Sequence, residues 1–190
     1  MLDSLKDAGN AAVWTDFDGR YRPIIQRVAL RMGLSAEDAS DVAQQTLTDF
    51  VRDYRLGKYD RGKGRLRHWV MGIARHRALD LLRSQSTRKE RHGDSVIMSL
   101  PDDQTVSTYW EVEQRKAIFA AAWEEYRTSG KASDVNLQAF ELVAIQGMPA
   151  EAVAAQLNIS PDLVYKAKSR GMMRLREIIE RVTKAYEADE

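Results

Sequence analysis

The chain has no cysteine, only three histidines and only four prolines among its 190 residues. Without thiols, disulfides and thiolate metal sites are excluded, and His68, His76 and His92 are too scattered to form a ligand spacing. No metal and no cofactor are therefore expected. No stretch approaches the roughly 18 consecutive apolar residues that a membrane span requires, and the first residues lack the basic start and apolar run of a secretory signal. A soluble, cytoplasmic protein is the expectation. Paired carboxylates, a Ser-His-Asp set and a phosphate-binding loop are all missing at sensible spacings, which argues against an enzyme. Alternating strand-like runs are also nearly absent, and the remaining periodicity is helical.

Net charge is only +1, but the charges are arranged in blocks. Between residues 61 and 91 the acids are only Asp80 and Glu90, set against ten lysines and arginines that include Arg61, Arg65, Arg67, Arg75 and Arg77. Between 35 and 51, Glu37, Asp38, Asp41 and Asp49 stand with no lysine or arginine. Either block can be a solvated helix face. Cations this concentrated beside aromatic residues favour nucleic acid.

Periodicity predicts a first helix over 15–32, closed by Gly33, with Phe17, Tyr21, Ile24, Ile25, Val28 and Leu30 supplying apolar surface. A second begins after Ser35, a good N-cap residue, with Glu37 and Asp38 placed to complement the helix dipole. Gly57, Gly62 and Gly64 make 56–64 a basic loop, and a third helix follows over 66–82. The stretch 84–108 loses periodicity and reads as a linker. Helical pattern returns at Tyr109, pauses in a polar loop at 128–133 and resumes over 135–146. The fold expected is all-α: two small helical domains, 10–84 and 109–186, joined by a flexible linker at 85–108.

The most informative segment is 147–176, G-M-P-A-E-A-V-A-A-Q-L-N-I-S-P-D-L-V-Y-K-A-K-S-R-G-M-M-R-L-R. Val153, Ala154 and Leu157 give one short helix an apolar face, Asn158 and Ile159 hold the turn, and Ser160 caps a second helix whose first residue is Pro161. Leu163, Val164 and Leu175 can face inward while Lys166, Lys168, Arg170 and Arg174 face out. This is the pattern of a DNA-reading helix-turn-helix, although an amphipathic hairpin with a solvated basic face would share it. Trp69 adds a second feature, an aromatic set among Arg65, Arg67, Arg75, His76 and Arg77. It can be a core residue or a surface for unpaired bases. A duplex-binding regulator independent of polymerase and an all-helical adaptor are the competing readings.

Three motifs, in this order, resemble those of the extracytoplasmic-function class of bacterial RNA polymerase sigma factors. D-V-A-Q-Q-T-L at 41–47 resembles the polymerase-binding helix, 65–83 the helix that recognises and opens the -10 element, and 147–176 the -35 reader. The resemblance implies sigma domains 2 and 4 and a function without covalent chemistry. Its implied partners are promoter DNA and core RNA polymerase, through the coiled coil of the largest subunit and the flap region. An anti-sigma factor or a regulatory kinase is the candidate means of control.

Carried over by position, Lys58, Tyr59, Asp60, Arg61, Arg65, Arg67, Trp69, Arg75, His76 and Arg77 face the -10 DNA. Ser160, Pro161, Tyr165, Lys166, Lys168, Ser169 and Arg170 lie nearest the -35 DNA, and Asp38, Asp41, Gln44, Gln45 and Asp49 face polymerase. The linker acids Asp94, Asp102 and Asp103 are expected along the nucleic-acid path. Gln45 and Leu47 depart from the family's usual Glu and Phe. The lost charge makes Thr46 and Thr48 candidate phosphorylation sites that would restore it.

Overall fold

A computed structural model describes residues 11–91, 100–130 and 132–187. These residues form seven α-helices and no strand: α1 (Ala11–Arg31), α2 (Ala36–Arg55), α3 (Leu66–Arg91), α4 (Asp103–Thr128), α5 (Asp134–Phe140), α6 (Ala150–Leu157) and α7 (Pro161–Glu187). The chain divides into two compact units, the first running to Ala117 and the second spanning Ile118–Tyr186. No helix among the described residues is long and apolar enough to cross a membrane.

In the first unit α1, α2 and α3 pack around Phe17, Tyr21, Ile24, Ile25, Phe50, Leu66 and Val70, all at most 1% exposed. Gly33 takes φ +99°, a backbone that an L side chain strains, and so ends α1. Ser35 then caps α2, its hydroxyl oxygen accepting from the Asp38 amide at 3.1 Å, and the predicted start is correct. Phe17 and Phe50 stack at the centre, 4.5 Å between ring centroids and 9° between planes. Truncating either to alanine costs about 3–5 kcal/mol. Leu30, expected to add apolar surface, is 45% exposed; it projects from α1 away from the face that holds Val28 and Ala29.

The helix boundaries depart from the sequence reading on both sides of the proposed linker. α3 continues past residue 82 to Arg91, where Gln85 donates to the Asp38 carboxylate at 3.0 Å and Thr87 donates to the Arg83 carbonyl. Such contacts sustain a helix without an apolar stripe. α4 starts at Asp103 rather than Tyr109, with the Asp102 carboxylate accepting from the Thr105 amide at 2.8 Å. Its residues up to Ala117 belong to the first unit because Val106, Trp110 and Glu113 are buried there, each at most 2% exposed. The unit boundary therefore falls at 117/118 and not at 108/109. Asp94 lies outside the described residues.

The second unit holds the rest of α4 with α5, α6 and α7. α5 is capped by Ser133 and runs directly into a π-helical turn, Glu141–Ile145; the predicted helix over 135–146 thus changes its winding midway. One core cluster joins Ala139, Val143, Val153, Ala154 and Val164, and another joins Ala122, Tyr126, Phe140, Leu175 and Ile178. Gly171 sits in the middle of α7 although glycine weakens helices by about 1 kcal/mol relative to alanine. A Cβ there would lie 2.7 Å from Cε2 of Phe140 and closer still to Cδ2. Only glycine lets α7 approach that ring.

Candidate nucleic-acid interface

The loop before α3 is shaped by its own side chains. Gly57 and Gly64 take φ +70° and +154°, while the Asp60 carboxylate accepts from the Gly62 amide at 2.9 Å and caps a single 3-10 turn, Arg61–Lys63. The Tyr59 hydroxyl donates to the Gly64 carbonyl at 3.2 Å and closes the loop on itself. Tyr59 then stacks on Trp69, with centroids 5.3 Å apart and planes 19° apart, and Trp69 meets Phe50 edge-on at 5.3 Å. An aromatic ladder therefore leads from the buried Phe17–Phe50 stack out to the surface.

Trp69 is half-buried, so it serves the core through one edge and keeps the remainder accessible. It lines two clefts. One, of about 320 Å³, is bounded by Lys58, Tyr59, Asp60, Lys63, Arg65 and His68. The other, of about 510 Å³, is bounded by Arg52, His68, Gly72, His76, Arg77 and Asp80 among others. A cationic helix that presents an indole between two open clefts can hold a phosphate backbone and stack an unpaired base.

The sequence-predicted cations are spread around α3 and its loop, with Arg75 turned to Asp103 of α4 and Arg77 to Asp49 of α2, and several are already paired. Lys58 donates to Asp53 at 3.0 Å, and that bond together with one from Arg52 holds the Asp53 carboxyl below its ordinary range. His76 lies 3.2 Å from Asp80, and Arg75 pairs with Asp103. Arg67 contacts His68 at 3.3 Å, and Arg61 and Arg65 are exposed. Exposed pairs of this kind are worth about 0–1 kcal/mol. Phosphates can exchange for them at little cost.

On α2 the residues predicted to face polymerase separate into two groups. Asp41, Gln44, Gln45 and Thr48 are exposed on one face. Gln44 accepts from Arg22 at 2.9 Å, and Arg22 in turn makes two bonds to Asp18. Asp38 is bound by Ser35 and Gln85, which keep its carboxyl below the ordinary range. Asp49 is a correction: it is 7% exposed and turned toward α3, where it accepts from Arg77 at 2.7 Å and pairs with Arg52 at 2.9 Å. Thr46 is a second correction. It is fully buried, and a phosphate could not be placed on it without opening the bundle. A neighbouring groove contains Trp14 and Arg55, whose guanidinium lies over the Trp14 ring; the sequence reading singled out neither.

The second unit contains the expected helix-turn-helix. α6 ends at Asn158, in the left-handed region at φ +53°, and the Ile159 amide donates back to the Ala154 carbonyl at 3.0 Å. Asparagine tolerates this conformation better than most residues. The Ser160 hydroxyl oxygen accepts from the Leu163 amide at 3.3 Å, and Pro161 opens α7. Val164 and Leu175 are buried. Ser160, Pro161, Tyr165, Lys166, Lys168, Ser169 and Arg170 are all exposed, with Lys166 paired to Asp162 at 2.6 Å. Leu163 does not face inward as expected. It is 46% exposed, because the cap fixes α7 so that Val164 and Ala167 fill the interior.

Among the described residues no group of three or more His, Cys, Asp or Glu could hold a metal ion. No match was found among curated proteins. Residues 18–88, which include α2, the loop and nearly all of α3, match the family model of Sigma-70 region 2. That domain lies within the first unit and supports a sigma-factor role in promoter-specific transcription initiation.

Proposed function

We propose that this protein is an extracytoplasmic-function sigma factor that recruits core RNA polymerase to promoters and opens them. The exposed face of α2, with Asp41, Gln44 and Gln45, docks on the coiled coil of the largest polymerase subunit. The loop and α3 receive the -10 element. Lys58, Arg61, Arg65, Arg67, Arg75, His76 and Arg77 hold the strand, and Trp69 with Tyr59 takes a base that has left the stack. The helix-turn-helix of the second unit binds the -35 element through the amino-terminal part of α7, and the polymerase flap region is the second point of attachment. Lysine and arginine on phosphates set its register, and base reading falls to Ser160, Pro161, Tyr165 and Ser169. The factor itself makes and breaks no covalent bond.

The observation that carries this reading is the position of Trp69, half-buried on a cationic helix and open to a cleft on either side. A protein that binds only duplex DNA has no use for an accessible indole there. Run-off transcription with core polymerase on a genomic fragment library, followed by start-site mapping, tests the proposal. Discrete starts that share upstream elements and depend on this protein support it. Binding to DNA with no association with polymerase would support the regulator instead.

A further inference from the structure

One stripe of α4 is built like a strap. Asp103, Val106, Trp110 and Glu113 follow at i, i+3, i+7 and i+10, which places them on a single helix face. The middle of the stripe is apolar and buried, with Trp110 packed against Tyr21 at 6.4 Å. Both ends are acidic, and each acid meets an arginine. Glu113 accepts from Arg31 at 2.7 Å and Lys116 at 3.0 Å, with Arg27 at 3.9 Å; the guanidinium of Arg31 also lies over the Tyr109 ring. At the other end Asp103 pairs with Arg75 of α3.

We propose that the start of α4 is an internal lock on the DNA-facing helix: Asp103 occupies the Arg75 guanidinium that nucleic-acid phosphates must otherwise use. This rests on the reading of α3 as the -10 helix. Asp103 is 83% exposed while Arg75 is 33% exposed, so the carboxylate reaches the guanidinium from the solvent side, the side from which a phosphate would approach. The neighbouring Asp102 carboxylate, drawn down chiefly by its bonds to Thr105 and least by the charge of Arg75, adds a second negative charge at this end of α4. Val106, Trp110 and Glu113 hold the strap in place, and Asp103 supplies the block. A pair this exposed is a weak lock that competing phosphates can open.

The test measures the affinity of the full-length protein, without polymerase, for a fluorescent single-stranded 20-nucleotide DNA. Asp103→Asn is compared with wild type, with the charge-matched control Glu111→Gln and with Asp103→Asn/Arg75→Gln. The lock predicts about three- to five-fold tighter binding for Asp103→Asn, at most half of that gain for Glu111→Gln, and none in the double variant. An equal effect of Asp103→Asn and Glu111→Gln overturns it, as does a gain that survives loss of Arg75 or no detectable binding by Asp103→Asn. A parallel run-off assay of wild type with core polymerase separates the two claims. Absence of any promoter-dependent start there rejects the initiation reading, whereas normal starts with an unchanged Asp103→Asn affinity reject only the lock.

Discussion

Arg77 on α3 donates two hydrogen bonds to the Asp49 carboxylate on α2, one from Nε at 2.7 Å, and Arg52 closes on the other carboxylate oxygen at 2.9 Å. The pair ties the helix proposed to face polymerase to the helix proposed to face DNA. Asp49 was expected at the polymerase surface, yet it acts between helices. Asp49→Ala removes the acceptor and leaves two guanidinium groups, each about half exposed, to be solvated by water. We expect a loss of about 1–3 kcal/mol in the first unit, read as a lower urea midpoint, with core-polymerase affinity within about two-fold of wild type. Weakened polymerase binding at unchanged stability would return Asp49 to the interface.

Glu113 gives the first unit an acid-sensitive contact. Burial alone would raise its carboxyl, but Lys116 and Arg31 outweigh burial and hold it below the ordinary value of 4.5. The group is thus more acidic folded than unfolded. Its stabilisation is complete above the ordinary value and is lost as pH falls through the lowered one. Thermal unfolding of wild type should therefore weaken more steeply between about pH 5 and pH 3 than that of Glu113→Gln. Parallel pH profiles would contradict this.

Gly171→Ala should destabilise the second unit despite alanine's higher helix propensity. The added methyl meets the Phe140 ring, and overpacking of this kind costs about 1–3 kcal/mol, measured as a reduced thermal midpoint. Shrinking the ring in Gly171→Ala/Phe140→Leu should recover part of the loss. A more stable single variant would show that α7 can shift away.

Thr48, unlike Thr46, is exposed on the same α2 face as Gln44 and Gln45, and its hydroxyl donates to the Gln44 carbonyl at 2.9 Å. Thr48→Asp should tighten core-polymerase binding by supplying the charge that Gln45 lacks. Equal or weaker binding than wild type would remove this residue as a switch.

The local signals were readable because they act within a few residues. Ser35, Ser133 and Ser160 each cap a helix through an amide three residues on; the first and last were placed from sequence as caps, and Asn158 and Pro161 likewise marked the helix-turn-helix. What could not be read depends on partners distant in the chain. Thr46 looks like a surface residue until the bundle buries it, Asp49 until Arg77 of α3 closes on it, and Gly171 looks like a weak helix position until Phe140 packs against it. The extension of α3 and the early start of α4 rest on Gln85–Asp38 and Asp102–Thr105 contacts, where hydrogen bonds replace the apolar stripe that a periodicity search requires.

Promoter opening is the step in which an accessible Trp69 has its effect. Permanganate reactivity of unpaired thymines around the -10 element, with core polymerase and either wild type or Trp69→Ala, reports the open complex. Trp69→Ala should lose at least ten-fold of this reactivity, from removal of a stacking surface worth about 1–3 kcal/mol per base, with polymerase binding kept within about two-fold. Unchanged reactivity with intact polymerase binding would show that Trp69 serves only the core.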